Sequence, residues 1–487
     1  MSLKKAALSG MFWTFIQQMS TQGISFVVSI ILARILLPSE FGLIALISVF
    51  IAIGNALIDS GLNQSLIRTE HVTEKDYSAV FFFNLIISIC IYVIMFFTAP
   101  FISNFYNQQL LTEISRVYGL VFIINSLAVV QNTKLTKELQ FKKQTIITLP
   151  SLLIGSSVGI WMAIKGYGVW SLVWSNITRS AALTIQLWLW SPWKPSLDLK
   201  WNNIQPHLNF GYKLTMSSLI HVFFTNIYTI IIGKFFDPIQ VGFYNRANTL
   251  KQMPVQNFSA VLSKVTFPLF SKIQDDNKQL KSAYKKIMKM AIFLLSPTLL
   301  LMAVLAEPLF RFLITEKWLP AVPYFQILCL SGILYPINIY NLNILNVKGR
   351  SDLYLKLEVI KKIFALFVII ISINWGIYGL LYGHLFLTLT GLLINTHYAG
   401  KHINYSTFNQ LRDISPAFFI SLLTSVIIFL EDRLLVSYNY SDIIRLLTGG
   451  IMGIILFLIL SYLFKLSSLY EIKSILVIAI NKKRLKR

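Results

Sequence analysis

Ala33-Arg34-Ile35-Leu36-Leu37-Pro38-Ser39-Glu40-Phe41-Gly42 returns later in the chain as Gly233-Lys234-Phe235-Phe236-Asp237-Pro238-Ile239-Gln240-Val241-Gly242. Arg34 maps to Lys234, Pro38 to Pro238 and Gly42 to Gly242, each displaced by 200 positions. Both copies lie where one apolar run ends and the next begins. A looser match pairs Ala99-Pro100-Phe101 with Glu307-Pro308-Leu309, each after an apolar run. Chance gives one short match readily; two with consistent placement point to a duplicated architecture.

Outward from the repeat, apolar runs recur along the whole chain. Its 487 residues are 55% hydrophobic and 13% charged, with mean hydropathy +0.65. Soluble domains carry about twice that share of charge. Segments of roughly 20 apolar residues cross a bilayer as helices, which satisfy their backbone hydrogen bonds without water. Windowed hydropathy gives about fourteen spans, near 11–36, 40–64, 78–103, 113–132, 144–165, 167–191, 209–235, 238–268, 284–306, 320–346, 356–375, 376–399, 415–431 and 443–464. This is an all-α polytopic membrane protein with no separate soluble domain. Six spans separate the partners in both matches, so the two halves share one orientation; a parallel repeat of this kind is a transporter pattern, with substrate bound between the halves.

The expected organisation is two pseudo-symmetric six-helix lobes followed by two extra helices. Residues 1–191 form the N-lobe, 192–208 a cytoplasmic linker and 209–399 the C-lobe. Residues 400–464 carry spans thirteen and fourteen, and 465–487 form a basic tail. In that tail Leu466, Leu469, Tyr470, Leu476, Val477 and Ile480 share a helical face ahead of the basic run 482–487. It reads either as a helix lying on an anionic leaflet or as a partly disordered tail.

The net charge of +23 does not mark a nucleic-acid binder, because the cations are not gathered into one patch. They fall in alternate short loops. Lys4, Lys5, Arg68, Lys75, Lys134, Lys137, Lys142, Lys143, Lys272, Lys278, Lys348 and Arg350 share one side; the other has only isolated cations such as Lys165, Arg311, Lys317 and Arg433. The positive-inside rule then puts both termini in the cytoplasm, as an even number of spans also requires. Lys4 and Lys5 before an apolar stretch imitate a signal peptide, but 11–36 is too long and too polar-striped, and is expected to be a retained helix.

Polar residues are costly in hydrocarbon and usually face the bundle interior or a wet cavity. Four spans carry them at helical spacing: Gln18, Thr21, Gln22, Ser25 and Ser29 in the first; Ser48, Asn55, Asp59 and Asn63 in the second; Ser218, His221, Thr225 and Thr229 in the seventh; Asn245, Asn248, Gln252, Gln256, Ser259 and Ser263 in the eighth. These are the first two spans of each repeat. Spans three, nine, thirteen and fourteen are far more apolar and are expected to face lipid. The stripes imply either a hydrated cavity between lobes or polar contacts that glue helices together. Arg34, Asp59, Arg179, Lys234, Arg246 and Lys251 add an excess of positive charge, which suits an anionic cargo such as a diphosphate. Arg34 and Lys234 either line that cavity or snorkel to the interface. Arg246 and Lys251, five apart, do not share one face, so at most one is expected to point straight into the cavity. Asp59 either pairs with an arginine or binds a coupling proton or sodium ion. Pro254, Pro268, Pro297 and Pro336 are either hinges or static bends.

No P-loop appears, nor a nucleophile–base constellation, and the six histidines lack metal-ligand spacing. Cys90 and Cys329 lie in distant spans and make no disulfide framework. No cofactor, metal or catalytic residue is therefore assigned. The outer loops are short, which disfavours a membrane polymerase of lipid-linked glycans.

The stretches Leu32–Gly42 and Asp59-Ser60-Gly61-Leu62 resemble the start of polysaccharide-export flippases. So do Gly242-Phe243-Tyr244-Asn245-Arg246-Ala247, Gln252-Met253-Pro254 and Phe267-Pro268-Leu269-Phe270-Ser271-Lys272-Ile273-Gln274-Asp275. These belong to the Wzx-type branch (O-antigen, capsule and colanic-acid exporters) of the multidrug/oligosaccharidyl-lipid/polysaccharide (MOP) exporter superfamily. The resemblance implies a V-shaped pair of lobes, alternating access and an undecaprenyl-diphosphate-linked oligosaccharide repeat unit as cargo in a bacterial cytoplasmic membrane. Membrane lipids and polysaccharide polymerase or export machinery are the implied partners. On the stripes and charges, the cavity candidates are Arg34, Asn55, Asp59, Arg179, His221, Thr225, Lys234, Asn245, Arg246, Asn248, Lys251 and Gln252, with Asp59 also the candidate for a coupling ion. The alternative is an ion-coupled exporter of drugs or small metabolites, which would favour an acidic, aromatic-lined cavity.

Overall fold

The structure is a computed structural model that describes residues 3–59, 61–191, 193–197 and 201–474. Its described elements are seventeen α-helices and two short 3-10 turns. By packing, the chain divides into two compact units, Met1–Asn245 and Arg246–Arg487. The first holds α1 (Leu3–Ile35), α2 (Pro38–Asp59), α3 (Leu62–Arg68), α4 (Glu74–Tyr106), α5 (Leu110–Tyr118), α6 (Leu120–Lys137), α7 (Phe141–Ile164), α8 (Val169–Trp190) and α9 (Trp201–Phe235). Helix α10 (Pro238–Lys272) begins in the first unit and continues into the second. There follow α11 (Asn277–Val304), α12 (Ala306–Ile314), α13 (Val322–Val347), α14 (Ser351–Ser372), α15 (Gly376–Ile403), α16 (Thr407–Ser437) and α17 (Asp442–Leu463).

Helices occupy all fourteen expected segments, with α2–α3 and α5–α6 each filling one. Eleven helical stretches among the described residues are long and apolar enough to cross a membrane. The polar α10 and the Ser- and Thr-containing α8 fall short of that hydropathy, and α14–α15 forms one stretch of 53 residues. Length and composition thus support eleven candidate stretches, the 53-residue α14–α15 segment among them, and not the exact count of fourteen. Residues 467–474 of the tail are helical; Leu476, Val477, Ile480 and the basic run 482–487 lie outside the described residues.

The repeat is visible in the backbone. Helix α1 stops at Ile35 and α2 starts at Pro38; α9 stops at Phe235 and α10 starts at Pro238. Proline lacks the N–H that a first helical position would leave unbonded, so it breaks one helix and begins the next at no hydrogen-bond cost. The two glycines of the motif meet within the first unit. A Cβ on Gly42 would lie 2.7 Å from the Pro238 carbonyl carbon and run into its oxygen; a Cβ on Gly242 would meet the Pro38 carbonyl in the same way, 2.8 Å from its carbon. Each copy thus presses its glycine on the other copy's proline carbonyl, the reciprocal contact of a local twofold. The looser match is less regular: α4 runs unbroken through Pro100, whereas α11 ends at Val304 and Pro308 falls in the first turn of α12.

Within the first unit α7 packs on α8 and α1, α4 on α6, and α2 on α9. In the second, α11 is the central rod, packed on α16 and α13, while α13 also pairs with α15 and α16 with α17. This corrects one expectation. Span nine does not face lipid: α11 buries Leu295, Ser296, Pro297, Leu299 and Leu300 among its neighbours. Lipid tails are as apolar as leucine, so apolarity alone does not separate a core helix from a lipid-facing one. Helices α4, α14, α16 and α17 do carry long exposed apolar faces, with Phe97, Phe101, Ile370, Phe419 and Leu463 among them.

Candidate functional site

The first unit contains a cavity of about 430 Å³ whose polar wall is made mostly of amides. Helix α2 supplies Asn55, α3 Asn63, and α6 Asn125, Asn132, Thr133 and Thr136; aliphatic side chains of α2, α3, α6 and α8 close the rest. Two features of the chain build it. Helix α2 ends at Asp59 and α3 restarts at Leu62 after Gly61, whose φ of 66° is a left-handed conformation that favours glycine. A Cβ there would also lie 3.0 Å from the Gly211 backbone of α9, so the break is packed as well as permitted. On α6, Asn125, Asn132 and Thr136 recur at helical spacing and share a face.

Neighbouring groups hold this wall. Gln144 of α7 donates from Nε2 to the Asn132 Oδ1 at 3.1 Å and to the Thr136 hydroxyl at 2.7 Å. Lys137 donates to the carbonyls of Leu66 and Thr69 at 3.0 and 2.6 Å, which places a cation at the C-terminus of α3 where carbonyls are exposed. Ser65 of α3 and His207 of α9 share a 2.7 Å hydrogen bond. By contrast, the side-chain amides of Asn55 and Asn125 bond to no described residue. Both residues are only half-buried, so their amides stay open to water or a ligand.

The second unit holds the cations. Arg246 and Lys251 of α10 are each 6% exposed. The Arg246 guanidinium lies 5.2 Å from the centre of the Trp318 ring. Lys251 packs against α13 at Gly332 and lies near Cys329 of α13 and His384 of α15. Their different neighbours agree with their different helical faces. Among the described residues Lys251 makes no ion pair. Asn245, Asn248 and Gln252 on the same helix are half-buried. Both cations are enclosed by their neighbours.

The other sequence candidates are more dispersed. Arg34 is exposed in the last turn of α1. Lys234, its repeat counterpart, donates to the Phe105 carbonyl at 2.8 Å and lies 4.6 Å from that residue's ring centre, so its charge is spent on the C-terminal end of α4. Arg179 of α8 is half-buried, with its backbone packed against Gly155 of α7 and Tyr118 nearby. His221 and Thr225 are exposed on α9, and the Thr225 hydroxyl donates to the His221 carbonyl at 2.8 Å. Asp59 is the last residue of α2. Asn55 alone of the twelve lines the amide cavity. Sequence reasoning missed Asn125, Asn132 and Thr136, although their spacing carried the same signal as the stripes in spans one, two, seven and eight. It also missed Trp318 and His384, whose roles depend on tertiary contact.

Known proteins place this architecture. Residues 31–323 match the polysaccharide biosynthesis protein family. The lipopolysaccharide biosynthesis protein WzxC of Escherichia coli (strain K12) is 25% identical over 431 residues, covering 88% of each chain. Among solved structures, the lipid II flippase MurJ in its inward closed conformation superposes with TM-score 0.73 at 15% identity, over 94% of this chain and 98% of that one. An inward-facing multidrug resistance MATE family transporter of the MOP superfamily gives TM-score 0.58 at 15% identity, over 79% and 96%. Sequence and architecture agree: the chain belongs to the polysaccharide biosynthesis protein family and has the helical fold of MOP-superfamily transporters.

Proposed function

We propose that this protein is a flippase that carries an undecaprenyl-diphosphate-linked oligosaccharide repeat unit across a bacterial cytoplasmic membrane by alternating access. Both termini are cytoplasmic in this reading. The sugar–diphosphate head crosses between an N-lobe (1–191) and a C-lobe (209–399) while the lipid tail stays in the bilayer.

One observation carries the reading: Lys251 is buried on α10 with no carboxylate paired to it among the described residues, and Arg246 is buried nearby on the same helix. Buried charge is retained against a desolvation penalty of several kcal/mol, and an uncompensated cation is explained by an anion that arrives with the cargo. A diphosphate supplies that anion, and a guanidinium binds it bidentately. An exporter of cationic drugs would place carboxylates in these positions. Asp59 is the proposed site of a coupling proton or sodium ion.

Deleting the gene tests the proposal. Lipid-linked repeat units should accumulate in the cytoplasmic leaflet and surface polysaccharide should fall. Normal surface polymer, or accumulation in the outer leaflet, contradicts the assignment.

A further inference from the structure

We propose that the amide-lined cavity of the first unit is a subsite for the uncharged sugar hydroxyls of the cargo, a task distinct from the anion binding assigned to Arg246 and Lys251. The proposal rests on the flippase reading and names a second part of its recognition.

The chemistry of the wall selects the ligand. Its polar residues are Asn55, Asn63, Asn125, Asn132, Thr133 and Thr136, and among the described side chains no Lys, Arg, Asp or Glu lines it. A charged ligand would enter without a counter-charge. A sugar hydroxyl both donates and accepts, as does a side-chain amide, so the two pair without moving a charge out of water. The remaining wall is aliphatic, which suits the C–H faces of a pyranose ring. A volume of about 430 Å³ lies within the usual range for small-molecule sites, roughly 300–1,000 Å³, and admits a sugar ring.

Two further observations separate this cavity from helix glue. A structural network binds its own members, as Gln144 binds Asn132 and Thr136. Asn55 and Asn125, on different helices, instead line the cavity with their side-chain amides bonded to no described residue. The wall is also fixed before any ligand arrives, because Lys137 and His207 tether α3 and Gln144 tethers α6. Pre-positioned polar groups left unpaired are the mark of a site that loses little on binding. The cavity lies beside the Lys/Arg-rich ends of α3 and α6, at Arg68, Lys134 and Lys137. In the proposed orientation that is the cytoplasmic side, where a lipid-linked unit would be loaded.

The test uses the full chain in nanodiscs and two probes: undecaprenyl diphosphate, and undecaprenyl diphosphate bearing a single hexose. Wild type should bind the hexose-bearing lipid more tightly. Asn55→Ala and Asn125→Ala should each reduce that advantage about three- to tenfold, the loss of one or two neutral hydrogen bonds, and leave binding of undecaprenyl diphosphate unchanged. Retained binding of the sugar-free lipid shows that a variant is folded; if one variant fails to fold, the other carries the test. An unchanged hexose advantage in the folded variant overturns the subsite. So does finding that the asparagines instead govern stabilisation by sodium chloride, which would make the cavity an ion site. Failure of wild type to bind either lipid overturns the flippase reading itself, a distinct result.

Discussion

Gly42→Ala tests the twofold contact between the repeat copies. The new Cβ would lie 2.7 Å from the Pro238 carbonyl carbon and 3.2 Å from the Gly242 nitrogen, where ordinary contacts fall at 3.4–4 Å. Both neighbours are backbone at the start of α10, so no side chain can swing away. The helix ends must separate by on the order of 1 Å, and forced overpacking of this kind costs about 1–3 kcal/mol. Gly242→Ala meets the Pro38 carbonyl with nearly the same geometry and should cost about as much. The double variant should cost clearly less than the two single costs together, because one separation relieves both clashes. Thermal unfolding of the purified protein in detergent measures all three, with polymer export in a deletion strain as the functional readout. Additive effects, or a Gly42→Ala protein that melts and exports like wild type, would refute the reciprocal contact.

Four other substitutions probe separate parts of the account. Lys251→Met should raise the melting temperature, because it removes an unpaired buried charge, and reduce export on the order of 30-fold or more through loss of the anion contact; lower stability with full export would reverse the assignment. Arg246→Gln should insert normally yet impair export, and binding of undecaprenyl diphosphate in nanodiscs reads the effect directly. Asp432→Ala should cost about 1.5–3 kcal/mol in unfolding measurements, since it removes both 2.8 Å bonds that hold Arg445, which is 3% exposed, and leaves it only the 3.0 Å pair with Asp442. Gly61→Ala should cost about 1–2 kcal/mol for its left-handed backbone alone, and more through contact with Gly211 and Leu214; an unchanged melting curve would show that the break between α2 and α3 tolerates a side chain.

Much of the fold was legible because hydrocarbon imposes simple rules on a chain. Apolar length located the helices, and the offset between Pro38 and Pro238 located the duplication. The site was less legible, for a physical reason. A polar stripe gives the face of a helix but not its partner: His221 and Thr225 proved exposed, whereas Asn125 and Asn132 line a cavity with Asn55. Lys234 shows the same limit, since only the packed structure reveals that the end of α4 takes its charge. Helix α11 shows it for apolar residues, because leucine looks alike against lipid and against protein. The buried Arg445–Asp432 pair joins α17 to α16 across a turn, and neither residue belongs to the repeat that guided the sequence reading.

In the proposed mechanism an anionic lipid-linked glycan changes leaflet through this protein by way of cations buried on α10. Reconstitution into proteoliposomes with an undecaprenyl-diphosphate-linked glycan tests it most directly, with a membrane-impermeant reagent reading glycan exposure over time. Protein-dependent exchange between leaflets that slows sharply in Arg246→Gln and Lys251→Met is the predicted outcome. Exchange no faster than in protein-free vesicles, or equal in wild type and both variants, would contradict it.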